Sequence, residues 1–195
     1  MVRHGETEWS LSGQHTSRTD IALTEHGRRQ AELIGRHLRG EAIGAVYVSP
    51  RRRARETAAL AGWPDAIVND DLAEWDYGSY EGRTTEEIRS VNPGWDLFRD
   101  GAPGGEVAED VGGRADAFIG MIRGEAEREP QPGAVLVISH GHFLRVLAAR
   151  WVGLPARQGA VFGPLAAGGL SVLGAERETA VAKVWNDTSA LSAER

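Results

Sequence analysis

Segments typical of β-strands alternate with segments typical of helices along this chain, and that alternation limits the folds it can adopt. The clearest strand is the apolar run Ala134 to Ser139, and a helical pattern from Phe143 to Val152 follows it. A second pair consists of Ile43 to Val48 and the helical stretch 51–61. Strand–helix units repeated in this way favour a mainly parallel sheet. The sequence therefore predicts an α/β fold, with residues 1–195 forming a single three-layer domain that has helices on both faces of the sheet.

Capping and turn residues place the remaining elements. Thr24 is the expected N-cap of a helix over 25–39, and Thr84 begins a capping-box pattern before a short helix. The segment 91–105 is rich in glycine and proline and is interpreted as a loop. Further elements are a strand at 66–68, a helix at 106–128 and two late strands at 170–173 and 180–185, joined by the polar stretch 176–178. We expect about 75–130 to form a small helical and loop cover over the edge of the sheet that holds the candidate functional site.

Composition excludes several classes of function. The formal net charge is −6, so a broad basic surface for nucleic acid is not expected. The chain has no cysteine, which excludes disulfides, thiolate zinc sites and cysteine nucleophiles. We find no apolar run of membrane-spanning length and no basic-then-apolar leader. The expected protein is cytoplasmic, with no membrane or nucleic-acid partner, and a homodimer is left open.

The start of the chain is unusual. Only Met1 and Val2 precede a charged segment, where an apolar strand is expected. We expect either a very short first strand or a start that lacks part of it. Losing that strand would expose core and weaken the pocket that follows.

Histidine and arginine residues fall at three strand-to-helix junctions. Arg3 and His4 lie where a first strand would end. The helix after the strand 43–48 begins with the arginine-rich segment 51–55. His140 follows the clearest strand. In a parallel sheet these junctions emerge at one edge, where helix N-termini offer free N–H groups. The pattern predicts a site for an anion at that edge.

Helix geometry separates the arginines of this cluster. At about 100° per residue, Arg51 and Arg55 share one face, whereas Arg53 points inward with Thr57. An inward cation at a helix N-terminus needs a negative partner. An exposed basic turn or an internal salt bridge would explain the cluster alone, but an oxyanion is the better explanation beside Arg3 and two histidines.

The histidines have simpler interpretations as well. A lone histidine at a strand end is often a hydrogen-bonded core residue, and we assign four to that class: His15, His26, His37 and His142. A zinc site built from His4, His140 and a carboxylate is a competing interpretation. Flanking arginines weigh against it because fixed positive charge repels a divalent cation. We therefore expect no metal.

Five motifs in order resemble the histidine phosphatase superfamily, also called the phosphoglycerate mutase-like family. They are RHGETEW (3–9), LTEHGRRQA (23–31), SPRRRARETA (49–58), LAEWDYGSYEG (72–82) and VISHGHFLR (137–145). The resemblance covers residue 3 to about 150. Through EWDYGSYEG the chain is most similar to the acid phosphatase or phosphoglycerate-phosphatase branch.

The resemblance implies a role for each matching residue. His4 matches the nucleophile and Arg3 the phosphate-binding arginine beside it. Arg53 matches the arginine of the SPxxRAxxTA pattern, which the resemblance implies also binds phosphate. His140 matches the second pocket histidine, expected to be protonated and to contact phosphate.

Three further residues are assigned through the same resemblance. Glu74 falls on the carboxyl group taken as the proton donor. Ser10 and Thr16 are lesser candidates for phosphate contacts, and Ser10 stands where the family commonly has asparagine.

The resemblance implies a phosphatase that hydrolyses small phosphomonoesters through a phosphohistidine on His4, without a cofactor. The enzyme would either accept a broad range of phosphate esters or act on sugar or glycerate phosphates. A cofactor-dependent phosphoglycerate mutase and a non-catalytic phosphate-ester binding module are the alternatives. Mutases carry a basic residue directly after the catalytic glutamate and have a longer insertion, whereas this chain has Trp75 there. Because Glu74 must be protonated while His4 is neutral, we expect activity to be highest below neutral pH.

Four aromatic residues have two open interpretations. They form either a lip over the pocket or part of the core. The four are Trp75, Tyr77, Trp95 and Phe98.

Overall fold

A six-stranded sheet forms the centre of the protein. The computed structural model describes residues 1–128 and 132–194. The strands are β1 (Val2–Arg3), β2 (Ile43–Val48), β3 (Ile67–Val68), β4 (Ala134–Ser139), β5 (Leu170–Glu176) and β6 (Thr179–Asp187). Their order across the sheet is β3-β2-β4-β1-β5-β6, and the first four run parallel. The predicted α/β fold with a mainly parallel sheet is confirmed.

The last two strands run antiparallel to their neighbours. Only Arg177 and Glu178 separate β5 from β6, and a connection this short permits only an antiparallel pair. Arg177 has a φ of 54°, the left-handed conformation that a tight turn requires. Both strands extend beyond their predicted limits, because the hairpin pairs residues up to Glu176 and Thr179.

Seven α-helices accompany the sheet in the part of the chain described. They are α1 (Glu8–Ser12), α2 (Glu25–His37), α3 (Arg52–Leu60), α4 (Thr85–Val91), α5 (Leu97–Asp100), α6 (Ala108–Arg128) and α7 (Gly141–Trp151). Thr24 caps α2, and Thr84 forms a capping box with Glu87 at the start of α4, as predicted. Helix α5 lies within the segment 91–105, so the interpretation of that segment as a loop is wrong for its centre. The Asp96 side chain caps α5 by accepting from the backbone N–H groups of residues 98 and 99. None of the helices described is long and apolar enough to span a bilayer.

Two hydrophobic cores lie on opposite faces of the sheet, which gives the three predicted layers. Along β4, Leu136 and Ile138 pack in one core with α2 and α3, whereas Val137 belongs to the other. This alternation follows from the two-residue repeat of a strand. The second core includes Phe118 of α6 and Phe143 of α7.

The cover predicted at about 75–130 contains α4, α5 and α6. Helix α6 packs against α7 and lies with it on the face of the sheet that carries the second core. Gln14 and Thr84 form an isolated antiparallel bridge that joins the loop after α1 to the start of α4. The limits of the cover stay a prediction, and residues 129 and 130 lie outside the described residues.

A close approach of backbone to backbone holds the segment after β1 against α2. A Cβ atom on Gly27 would lie 2.2 Å from the carbonyl oxygen of Glu6, and one on Gly5 would lie 2.4 Å from the carbonyl oxygen of Gly27. Neither backbone can move far, because Thr24 N–H also donates to the Glu6 carbonyl at 2.9 Å. Only glycine fits at these two positions.

Replacing Gly27 with alanine should lower the free energy of unfolding by about 1–3 kcal/mol, the usual cost of overpacking. The matched control is Gly113→Ala on α6, where an added Cβ meets no atom within 4 Å. That change should raise stability by up to about 1 kcal/mol because alanine has the higher helix propensity. Urea denaturation of both variants measures the two effects. Equal stability of Gly27→Ala and Gly113→Ala would contradict the close approach.

Candidate active site

The parallel pairing of β1 with β4 brings two histidines side by side. Arg3 pairs with Ser139, so the next residues, His4 and His140, leave the sheet together at its carboxyl edge. The backbone N–H of His4 donates to the Ser139 carbonyl at 2.9 Å. The imidazole centroids of His4 and His140 lie 5.1 Å apart, with their planes at 63°.

Hydrogen bonds define which ring nitrogen of His4 carries the proton. Nδ1 lies 2.7 Å from the Gly5 carbonyl oxygen, which only accepts, so Nδ1 carries the hydrogen. Nε2 therefore holds the lone pair, and it accepts from Arg53 Nε at 3.3 Å. Burial, then the charges of Arg53 and Arg3, hold the pKa of His4 well below its ordinary 6.5. These contacts leave a neutral ring that is held in one orientation.

The guanidinium of Arg53 is buried against His4, with 1% of the residue exposed. Its Nη1 and Nη2 groups donate to the carbonyls of Thr19 and Thr16, at 3.3 and 3.0 Å. Among the residues described, no carboxylate forms a salt bridge with Arg53. For Arg53 the alternative of an internal salt bridge is therefore wrong. Its buried positive charge lies beside the His4 ring, and the Glu74 and Asp20 carboxylates act on it from beyond salt-bridge distance.

Arg3 adds a second cation. Its Nη1 group donates to the Leu165 carbonyl, and its buried Nε has no hydrogen-bond partner within 1–128 and 132–194. Burial lowers the pKa of Arg3, whereas the nearby Glu74 carboxylate raises it. A guanidinium stays charged in proteins, so two cations face the same imidazole. Buried charges of one sign favour an anion between them.

His140 is fully buried, and Nε2 is hydrogen-bonded to Ser49 Oγ at 2.7 Å. Nδ1 has no partner in the described part of the chain. Burial, followed by the positive charges of Arg53, Arg3 and Arg51, lowers the pKa of His140 well below 6.5. Each of these causes favours the neutral ring, and the protonation of His140 in contact with phosphate stays a prediction.

Glu74 lies at the N-terminus of α7. Its Oε1 accepts from the backbone N–H groups of Trp75 and Phe143 at 2.9 and 2.8 Å, and its Oε2 accepts from that of His142 at 3.2 Å. The Ser139 hydroxyl donates to the Leu72 carbonyl at 2.7 Å, which ties the segment before Glu74 to the end of β4. Glu74 is 6% exposed, and these hydrogen bonds hold its carboxyl group in one orientation.

A cavity of about 230 Å³ opens at this edge of the sheet. Its lining includes Arg3, His4, Glu74, Ser10 and Thr16, which the sequence placed at the site. Arg53 and His140 adjoin His4 but do not line the cavity. Other lining residues are Thr7, Trp9, Gln14, His15, Tyr77, Thr85, His142 and Arg145.

The hydroxyls of Ser10 and Thr16 already have protein partners. Ser10 Oγ accepts from the Thr7 N–H at 2.8 Å and donates to the Thr7 carbonyl, so it completes the capping box of α1. Thr16 Oγ1 donates to the Gln14 carbonyl at 3.2 Å. Their contact with phosphate stays a prediction.

Sequence reasoning missed two histidines of the cavity. The sequence analysis assigns His15 and His142 to the core. Buried groups do surround them, but both residues line the cavity. Burial lowers the pKa of His15 to about 4. The one available signal for His142 was its place two residues after His140, within the first turn of the helix that follows β4. His26 and His37 are exposed on α2, so their assignment to the core is wrong.

The aromatic residues divide between the two interpretations. Trp75, Trp95 and Phe98 are core residues, and the indole N–H groups of the two tryptophans donate to the carbonyls of Glu106 and Gly101. The lip interpretation is therefore wrong for these three. Tyr77 is also buried, yet it lines the cavity.

The competing zinc interpretation needs three ligands placed together. Within 1–128 and 132–194, no group of three or more His, Asp or Glu side chains is arranged to hold a metal ion. Fixed cations at Arg3 and Arg53 oppose a divalent ion at His4.

On lowering the pH, His4 and His140 should stay neutral through pH 6.5 and gain their protons only well below it. Burial and nearby cations both disfavour the charged ring. Arg53→Met should raise both pKa values without restoring 6.5, because burial is the larger cause. The exposed neighbour variant Arg52→Met should leave them unchanged. Imidazole NMR shifts followed with pH measure this, and protonation of wild-type His4 at or above pH 6.5 would contradict it.

Comparison with known proteins shows which family this chain belongs to. The family model described as "Histidine phosphatase superfamily (branch 1)" matches residues 1–188. An acid phosphatase of Mycobacterium tuberculosis is 45% identical over 164 residues, covering 83% of this chain and 79% of that protein. A sedoheptulose 1,7-bisphosphatase of Saccharomyces cerevisiae is 38% identical over 181 residues, covering 79% and 67%.

Solved structures agree with the sequence comparison. The structure of a Mycobacterium tuberculosis open reading frame product superposes with a TM-score of 0.87 at 40% identity, covering 95% of this chain and 94% of that one. The family model spans nearly the whole chain, and both relatives exceed 30% identity over most of it. The chain belongs to the histidine phosphatase superfamily.

Proposed function

We propose that this protein hydrolyses small phosphate monoesters through a transient phosphohistidine on His4. The observation that carries the proposal is the oriented His4 ring, whose Nδ1–H is held by the Gly5 carbonyl while Nε2 presents its lone pair beside two guanidinium groups. A neutral imidazole in this orientation is a nucleophile. Two cations that form no salt bridge within the described residues suit the dianion that it would attack.

In the first step His4 Nε2 bonds to phosphorus as the bond to the ester oxygen breaks. Glu74, in its protonated form, gives its proton to the leaving oxygen. The guanidinium groups of Arg3 and Arg53 stabilise the negative charge that phosphoryl transfer spreads over the equatorial oxygens. The product alcohol departs and a phosphoryl group remains on His4.

In the second step water replaces the alcohol. The Glu74 carboxylate takes a proton from water, the water oxygen bonds to phosphorus, and the bond to His4 Nε2 breaks with its electron pair returning to the ring. Inorganic phosphate leaves and Glu74 is again protonated. A dianion beside His140 would favour protonation of that ring, opposing the neighbours that now keep it neutral.

Small sugar or glycerate phosphates are the proposed substrates, with some breadth of specificity. A cavity of about 230 Å³ limits the size of the leaving group. The similar proteins include one named acid phosphatase and one named sedoheptulose 1,7-bisphosphatase. Trp75, in the position where mutases have a basic residue, is buried in the core, and this favours water over a second sugar acid as acceptor.

The wild type should release phosphate from p-nitrophenyl phosphate and propyl phosphate in excess EDTA. Glu74→Gln should lower kcat/KM for propyl phosphate by about 10²–10⁴, the usual contribution of a general acid. The loss with p-nitrophenyl phosphate should be much smaller, since p-nitrophenolate leaves without a proton. Phosphate release assayed for each enzyme and substrate gives the comparison.

Glu32→Gln, an exposed change on α2, is the matched control and should alter neither rate constant. No phosphate release by the wild type from either ester would refute the proposed hydrolysis. Interconversion of 3- and 2-phosphoglycerate that outpaces phosphate release would assign a mutase instead. If Glu74→Gln lowered kcat/KM equally for both esters, the role of Glu74 as proton donor would be contradicted.

A further inference from the structure

The first turn of α7 places a histidine next to the proposed proton donor. The backbone N–H of His142 donates to Glu74 Oε2 at 3.2 Å, and His142 is one of the residues that line the cavity. In the proposed reaction the leaving oxygen must lie at Glu74. The part of the leaving group next to that oxygen therefore lies beside His142.

Contacts on several sides hold the His142 ring in place. Nδ1 is hydrogen-bonded to Tyr77 Oη at 2.6 Å. The ring also packs against His15 and Phe98, with centroid distances of 5.8 and 5.7 Å. Tyr77 in turn lies on His15 at 4.6 Å. In the part of the chain described, Nε2 has no hydrogen-bond partner and remains accessible.

The charge of His142 limits what can bind there. Burial, aided by the positive charges of Arg145 and Arg3, lowers the pKa of His142 well below 6.5, so the ring is neutral near pH 7. Either nitrogen can carry the one proton, depending on whether Tyr77 donates to Nδ1 or accepts from it. A hydroxyl group can donate or accept, so it pairs with Nε2 in both cases.

We propose that His142 Nε2 binds a hydroxyl group of the leaving group, close to the ester oxygen, and so selects phosphate esters of polyols over those of simple alcohols. The proposal rests on the proposed phosphatase function and names a specificity-determining residue for it. One hydrogen bond to a neutral partner corresponds to a preference of about tenfold.

The test compares two esters that differ only in hydroxyl groups, glycerol 3-phosphate and propyl phosphate. The ratio of their kcat/KM values should be about ten or more in the wild type and should fall to near one in His142→Phe. Any general disturbance through Glu74 acts on both esters and cancels in the ratio. His142→Gln, whose amide both donates and accepts, should restore part of the preference, and exposed His37→Phe should retain the full ratio.

A ratio that is the same in wild type and His142→Phe would overturn the proposal, as would a wild-type ratio near one. If His142→Phe does not fold, loss of the ratio in His142→Ala with recovery in His142→Gln supports it, and the absence of both changes overturns it. Failure of the proposed function is a separate result, because then the wild type releases no phosphate from p-nitrophenyl phosphate.

Discussion

The parallel pairing of β1 with β4 is the contact on which the candidate site depends. It involves only Val2 with Ile138 and Arg3 with Ser139, yet it sets the positions of His4 and His140 at the sheet edge. Val2 is fully buried in the core that includes residues of α2 and α3 on one side of the sheet. Because the strand is so short, the backbone beyond it needs further support, which the tight contact between Gly5 and Gly27 supplies.

Electrostatic imbalance is the second feature of the site. Arg3 and Arg53 are charged, His4 and His140 are kept neutral, and Glu74 is tied to three backbone N–H groups. Burial weakens the screening of each charge by water. A phosphate dianion would supply the negative charge that the two guanidinium groups lack. The same cations that lower the pKa of His4 favour the unprotonated ring that the proposed nucleophile needs, so a single arrangement would serve both binding and chemistry.

Features that depend on neighbours in the chain were predictable from sequence. The apolar runs of β2 and β4 define those strands at their observed limits, and the inward direction of Arg53 follows from helical periodicity. The direction of β5 and β6 was not predictable from alternation, since it depends on the length of one turn. Helix α5 was missed because its glycine- and proline-rich surroundings resemble a loop, while burial of Leu97 and Phe98 stabilises it.

The roles of distant partners were harder to infer. His142 contacts Tyr77 and Glu74 across 65 and 68 positions of the sequence, and no local pattern reports such contacts. The neutral state of His140 likewise depends on cations brought together by the fold.

The central claim is that His4 is phosphorylated during turnover. Its most direct test is to quench turnover of p-nitrophenyl phosphate rapidly without acid and to analyse the peptide containing His4 by mass spectrometry. We expect a phosphoryl group on His4 that is stable in base, labile in acid and absent in His4→Ala. Turnover without any phosphorylated His4, or undiminished turnover by His4→Ala, would contradict a covalent mechanism.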